Sequence, residues 1–137
     1  MEYSHERSDD LMMAYDRYIA TCKHIRMPDV YESIVNMPSS RFWVSDIRAA
    51  LVVSAIIRGD AHLESMWPLK REMYLEIYRR VLILKKKRPG LSISELCAEV
   101  VIQPAPKFYL TAGSAKMMVC KARKRWIQRK RERLHHF

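Results

Sequence analysis

The stretch PSSRFWVS at residues 38–45 recurs in altered form as PAPKFYLT at residues 104–111. Proline and phenylalanine are identical at the first and fifth positions, and most other positions hold residues of the same kind. The match extends on both sides in the register that aligns residue 38 with residue 104, because apolar residues of the flanking sequence fall on apolar residues. An insertion of three residues near residues 88–92 also aligns the first part of each repeat, so that Tyr15 matches Tyr78 and Arg17 matches Arg80. The chain is therefore predicted to contain two diverged repeats of about 50 residues each.

Each repeat is predicted to form three helices, because apolar residues recur at steps of three and four. Ser45 and Thr111 precede the third helix of each repeat, where a hydroxyl oxygen can accept from an unpaired amide. The tetrapeptide before each cap is predicted to be extended. The six predicted helices span residues 9–26, 28–36, 46–58, 70–88, 92–102 and 111–134.

The predicted fold class is all-α, with two tandem helix-turn-helix-like repeats and a long basic C-terminal helix. The first three-helix unit is placed at residues 9–58 and the second at residues 70–134, joined by a linker at residues 59–69. A flexible N-terminus at residues 1–8 and a tail at residues 135–137 complete the division.

Charge is the strongest functional signal of the chain. Its 137 residues include 25 Lys and Arg against 15 Asp and Glu, a formal net charge of +10. Residues 1–68 carry a net −3 and residues 69–137 a net +13. This balance favours a polyanionic partner, with nucleic acid first, and the length and composition disfavour a large multidomain enzyme or a disulfide scaffold.

The predicted polyanion site lies in the second repeat. Residues 116–133 hold nine Lys and Arg and one acid, Glu132. A second cluster ends the preceding long helix at residues 85–88, and the exposed starts of the third helices could read base edges. The candidate nucleic-acid-binding residues are Arg48, Lys85, Lys86, Lys87, Arg88, Lys107, Ser114, Lys116, Lys121, Arg123, Lys124, Arg125, Arg129, Lys130, Arg131 and Arg133.

The sequence offers little for catalysis, a cofactor or a metal. The five histidines are scattered, and the three cysteines form no pair with metal-ligand spacing. No signal peptide and no apolar run long enough to span a bilayer is visible. We therefore expect a non-enzymatic, cytoplasmic protein that has no cofactor and no membrane contact.

The aromatic pairs at residues 42–43 and 108–109 have two interpretations. One aromatic of each pair should anchor its segment in the core. The other could stack on a base or could be structural as well. If the two tetrapeptides paired as short strands, they would instead indicate a β-ribbon that reads DNA.

Three helices with the third entered through a short connection resemble the helix-turn-helix unit. The chain thus resembles in style the small basic DNA-binding proteins of phages and mobile elements. The connection before each third helix is about eight residues long, whereas the turn of the helix-turn-helix unit has only three or four residues. The resemblance implies duplex DNA binding, with phosphates held by the basic second unit and base edges read by the third helices.

Two further expectations concern partners. The acidic first unit is expected to mediate self-association or to contact another protein. The alternative function is that of a helical accessory protein that binds structured RNA, or a polymerase or ribonucleoprotein partner, through its basic face.

Overall fold

The computed structural model describes residues 4–135, and all regular structure in that range is helical. The prediction of an all-α fold is confirmed. Six α-helices follow one another, and a short 3-10 turn at Leu63–Ser65 precedes the fourth. The helices are α1 Ser4–Thr21, α2 Met27–Val35, α3 Asp46–Arg58, α4 Pro68–Lys87, α5 Ile93–Val101 and α6 Ala112–His135.

The predicted ends of the chain differ from the structure. The sequence predicts a flexible segment at residues 1–8, but α1 begins at Ser4, and residues 1–3 lie outside the described range. Ser8 and Leu11 are both buried, so this first stretch packs like the rest of the helix. Of the predicted tail at residues 135–137, His135 is the last residue of α6 and the other two residues lie outside the described range.

The element boundaries follow the register of the sequence repeat. Helices α2 and α5 have the same length and begin at equivalent positions, 27 and 93, and α3 and α6 also begin at equivalent positions, 46 and 112. Both predicted caps are confirmed. The Ser45 hydroxyl accepts from the Arg48 amide at 3.1 Å, and the Thr111 hydroxyl accepts from the Ser114 amide at 3.1 Å. Each hydroxyl satisfies one amide that the first turn leaves unpaired.

The helices assemble differently from the predicted division at residues 9–58 and 70–134. The structure divides into a first unit, Met1–Met37 with Leu110–Phe137, and a second unit, Pro38–Tyr109. Helix α6 packs against α1 and α2, and α3 packs against α4 and α5. Each third helix therefore lies in the unit formed by the first two helices of the other repeat. The repeats present equivalent apolar faces, so an apolar pattern cannot tell which pair a third helix will cover.

The core of the first unit is formed by α1, α2 and α6. Helix α1 contributes Leu11 and Ala14, α2 contributes Ile34, and α6 contributes Ala115 and Val119, all buried. The alanine and valine on α6 are four residues apart and so share one helix face. This apolar face fixes which side of α6 turns inward and leaves the other side to solvent.

The second unit has the larger core. Helix α3 repeats the same pattern with Ala49 and Val53, which pack with Ile77 of α4 and Val100 of α5. Phe42, from the extended segment before α3, is completely buried in the same cluster. Its full burial removes a large aromatic side chain from water and makes it a main anchor of this unit.

The two extended segments pair through one β-bridge. Ser39 and Ala105 form an antiparallel bridge, and the Phe42 amide donates to the Val101 carbonyl at 2.9 Å. Both bridge residues are buried, and residues 4–135 contain no β-strand. The alternative of a β-ribbon that enters a DNA groove is therefore not supported.

The aromatic pairs are held by intramolecular contacts. Phe42 and Phe108 are buried, which confirms one core anchor for each pair. The indole N–H of Trp43 donates to the Ser39 hydroxyl at 2.9 Å. The Tyr109 ring stacks on Phe42 with their centroids 6.1 Å apart. These contacts favour the structural interpretation of Trp43 and Tyr109 over base stacking.

Candidate nucleic-acid interface

The basic helix α6 is the main candidate interface. It begins at the Thr111 cap and runs for 24 residues, which corresponds to about 36 Å at ~1.5 Å per residue. Every side chain from residue 126 to residue 135 is exposed, so the last turns have no buried face. The prediction that this helix leaves the core near Trp126 is confirmed by these exposures.

None of the nine α6 cations forms an ion pair with a carboxylate within residues 4–135. They are Lys116, Lys121, Arg123, Lys124, Arg125, Arg129, Lys130, Arg131 and Arg133. Because like charges three and four residues apart destabilise a helix, neutralisation of these charges would stabilise α6.

The α6 cations point in different directions. Ala115 and Val119 mark the buried face, and at 3.6 residues per turn Lys121, Lys124 and Arg131 lie on the opposite side. We call these three residues the outer stripe. All three are exposed and extend over eleven residues of helix, so they form a row of ammonium and guanidinium groups open to a phosphate backbone.

Arg125 belongs to the inward side of α6. Its guanidinium contacts the imidazole of His5 on α1, and its side chain is only half-exposed. Its Nε, like the Nε of Arg7 on α1, is buried and has no hydrogen-bond partner among the described residues. Burial also lowers the pKa of Arg7. Arg125 is therefore held inside the first unit and is a poor phosphate ligand compared with the outer stripe.

The cations of the second unit are mostly engaged. Lys85 donates to the Leu91 carbonyl at 2.7 Å, Arg88 donates to Glu99 at 2.7 Å, and Lys107 lies 2.6 Å from a Glu72 oxygen. These contacts give Lys85, Arg88 and Lys107 structural roles. Lys86 and Lys87 are exposed and form no ion pair within the described part of the chain. Within the predicted cluster at residues 85–88, Lys86 and Lys87 are thus the two residues without such a contact in residues 4–135.

The starts of the third helices contain the predicted base-reading residues. Arg48 and Lys116 are exposed, as base reading requires. The Ser114 hydroxyl instead lies 3.0 Å from the Thr111 hydroxyl and completes the cap. Arg48 belongs to the second unit, whereas Ser114 and Lys116 belong to the first.

Charge is distributed evenly between the two units, in contrast to the two halves of the sequence. The first unit holds 13 Lys and Arg against 8 Asp and Glu, and the second holds 12 against 7. Placing α6 with α1 and α2 joins the most basic helix to the acidic N-terminal segments. The expected acidic first unit, proposed as a contact for a partner protein, is therefore not a separate body in the structure.

A groove lies between α1 and α6 within the first unit. Its volume is about 480 Å³, and its charged lining comes from Asp9 and Asp16 on α1 and from Arg123, Arg125 and Arg129 on α6. Trp126 also lines it and is 63% exposed, although the apolar pattern places this residue on the buried stripe. Asp9 and Asp16 are not among the site residues predicted from the sequence. Their spacing of seven, which puts both on one helix face, was the available signal.

Other kinds of site are not evident in the described range. Residues 4–135 contain no group of three or more His, Cys, Asp or Glu side chains arranged to hold a metal ion. None of the helices in this range combines the length and the apolar character needed to cross a membrane.

Comparisons with known proteins give no match: no protein-family model, no curated protein and no solved structure is similar to this chain.

Proposed function

We propose that the protein binds nucleic acid, duplex DNA in particular, and that α6 holds the phosphate backbone. The observation that carries this proposal is the set of nine α6 cations, none of which pairs with a carboxylate among residues 4–135. Cations that neutralise phosphates release condensed counterions, which supplies most of the affinity of sequence-independent binding.

The shape of α6 favours duplex DNA over double-stranded RNA. From residue 126 onward every side chain is exposed, so the end of the helix can enter a groove without obstruction from the core. The major groove of B-DNA is about 12 Å wide and admits a helix, whereas the major groove of A-form RNA is deep and narrow. The outer stripe would contact phosphates along one groove edge.

Fluorescence anisotropy with labelled duplex DNA, single-stranded DNA and hairpin RNA of equal length tests this proposal. Each titration is repeated over a series of salt concentrations. The proposal predicts the tightest binding to duplex DNA, with a steep loss of affinity as salt rises. Equal or tighter binding to hairpin RNA would favour the accessory-protein alternative, and absence of binding to all three at low salt would exclude both functions.

A further inference from the structure

The groove between α1 and α6 combines groups that a nucleic-acid interface does not need for phosphate contact alone. An exposed indole, three guanidinium groups and two carboxylates line one cavity. Contact with the phosphate backbone explains Arg123 and Arg129 but gives no role to Trp126. Asp9 and Asp16 would repel phosphate. The groove is therefore suited to a ligand that has an aromatic part, an anionic part and hydrogen-bond donors.

We infer that this groove binds one unpaired nucleotide of the nucleic acid that α6 contacts. The inference rests on the proposed function and adds a ligand to it: a bulged, mismatched or flipped-out nucleotide next to the duplex. The volume of about 480 Å³ lies within the ~300–1,000 Å³ range of small-molecule sites. A single nucleotide is a ligand of that size class.

Trp126 is the stacking platform of this site. Aromatic side chains stack on any unpaired base because every base has a π-face, and they do so in proteins that bind single strands. The Trp126 ring is largely exposed at the groove. The Lys130 ammonium lies over one face of this ring, 5.1 Å from its centroid, so the base stacks on the other face with a phosphate-binding cation close by.

The two walls of the groove differ in charge, and this difference orients the nucleotide. Arg123 and Arg129 on α6 attract the phosphate, while Asp9 and Asp16 on α1 exclude it from their side. Both carboxylates are exposed and form no ion pair within residues 4–135. The base edge therefore faces α1 and the phosphate faces α6.

The carboxylates also set a preference among bases. A carboxylate accepts hydrogen bonds and pairs well with an exocyclic amino group such as the N4 amine of cytosine. Thymine has no exocyclic amine to donate. The site is therefore expected to prefer an unpaired cytosine over an unpaired thymine.

The test compares two labelled duplexes that differ by one unpaired cytosine, with binding followed by anisotropy. The parent protein is expected to bind the bulged duplex at least about five-fold more tightly than the fully paired one. Trp126→Leu should bring this ratio close to one, because both duplexes are then bound by the same phosphate contacts. Trp67→Leu is the matched control, because Trp67 is also exposed but lies in the second unit, and it should keep the parent ratio.

A second variant tests the base preference. Asp9→Asn with Asp16→Asn should reduce the preference for a bulged cytosine over a bulged thymine, and far-ultraviolet circular dichroism checks that the variants remain folded. If the parent protein binds the paired duplex clearly but binds the bulged duplex no more tightly, the inference is overturned and the proposed function remains intact.

Two other outcomes would also overturn the inference. If neither duplex binds the parent protein, the proposed function is wrong and the nucleotide site falls with it. If cytidine monophosphate binds more tightly than the bulged duplex and Trp126→Leu abolishes that binding, the ligand is a free nucleotide and the strand-linked nucleotide proposed here is wrong.

Discussion

Ser39 and Ala105 pair through their backbones: each amide donates to the carbonyl of the other residue at 3.0 Å. These two positions are aligned with each other in the sequence repeat, so each residue pairs with its own equivalent. Reciprocal contact between equivalent positions is typical of segments related by a two-fold axis. This bridge lies in the stretch where the repeat is clearest, and it joins the two segments from which the third helices begin.

The first prediction concerns the anchor of the second unit. Phe42→Ala should lower the free energy of unfolding by about 3–5 kcal/mol, because Phe42 is fully buried and the change leaves a cavity. The Arg80 guanidinium, 4.9 Å from the ring centroid, would lose its contact as well. Urea denaturation followed by circular dichroism measures the loss. Trp67→Ala, at a 78% exposed aromatic residue, is the control and should cost less than about 1 kcal/mol.

The second prediction concerns the cap of α3. Ser45→Ala should cost about 1 kcal/mol, because the Arg48 amide loses its acceptor. Ser45→Asn should retain most of the stability, since an asparagine side chain also caps a helix start. Thermal or chemical unfolding of the two variants decides the point, and equal losses in both would show that capping is not the cause.

The third prediction concerns alkaline pH. Burial, with a smaller contribution from the Asp46 carboxylate, raises the pKa of the Cys97 thiol from 9.0 to about 11. Between these values the unfolded chain loses the proton while the folded chain keeps it, so unfolding is favoured as pH rises. Below pH 9.0 both states hold the proton and this group adds no pH dependence. The free energy of unfolding should therefore fall from about pH 9 to about pH 11, and the fall should be shallower in Cys97→Ala.

A thiol-labelling experiment provides an independent check on Cys97. In the native protein a maleimide should label Cys120, which is exposed, and leave Cys97 unlabelled because it is completely buried. In denaturant all three thiols of the chain, including that of Cys22, should react. Rapid native labelling of Cys97 would contradict its burial and with it the expected alkaline loss of stability.

The fourth prediction separates structural cations from phosphate-binding cations. Arg88→Gln and Lys107→Gln should each change DNA affinity by less than about two-fold, because both side chains are engaged with glutamates. Lys124→Gln removes an open cation of similar charge and should weaken binding by several-fold. Anisotropy titrations at one low salt concentration measure all three. A larger effect for Arg88 or Lys107 than for Lys124 would restore the predicted cluster of the second unit to the interface.

Local features of this fold could be predicted from the sequence. The caps at Ser45 and Thr111, the bounds of α3 and the burial of one aromatic residue in each pair all follow from short-range patterns and from the repeat. Such patterns decide which residues are helical and which face is apolar. They do not decide which partner covers that face, and for this reason they do not predict the exchange of α3 and α6 between helix pairs.

The candidate site, too, could be predicted only in part from the sequence. The excess of cations on α6 is evident from composition, but their sorting into an outer stripe and an inward set depends on what the helix packs against. Tyr109 has a left-handed backbone conformation, with φ of 55°. The residue types of its segment do not predict this conformation. Pairings such as Lys107 with Glu72 join residues far apart in the sequence and become visible only in the folded chain.

The central claim is that α6 holds phosphates through its outer stripe, and the salt dependence of DNA binding tests it most directly. The affinity for a labelled duplex is measured over a series of salt concentrations for the parent protein and for the triple variant Lys121→Gln, Lys124→Gln, Arg131→Gln. The control is the triple variant Arg58→Gln, Lys70→Gln, Arg79→Gln, which removes equal charge from exposed positions of the second unit. The account predicts that the log–log slope becomes shallower by about 2.7 in the α6 variant, at about 0.9 per lost phosphate contact, and stays near the parent value in the control. Equal slopes in the parent and the α6 variant, or equal losses in both variants, would contradict it.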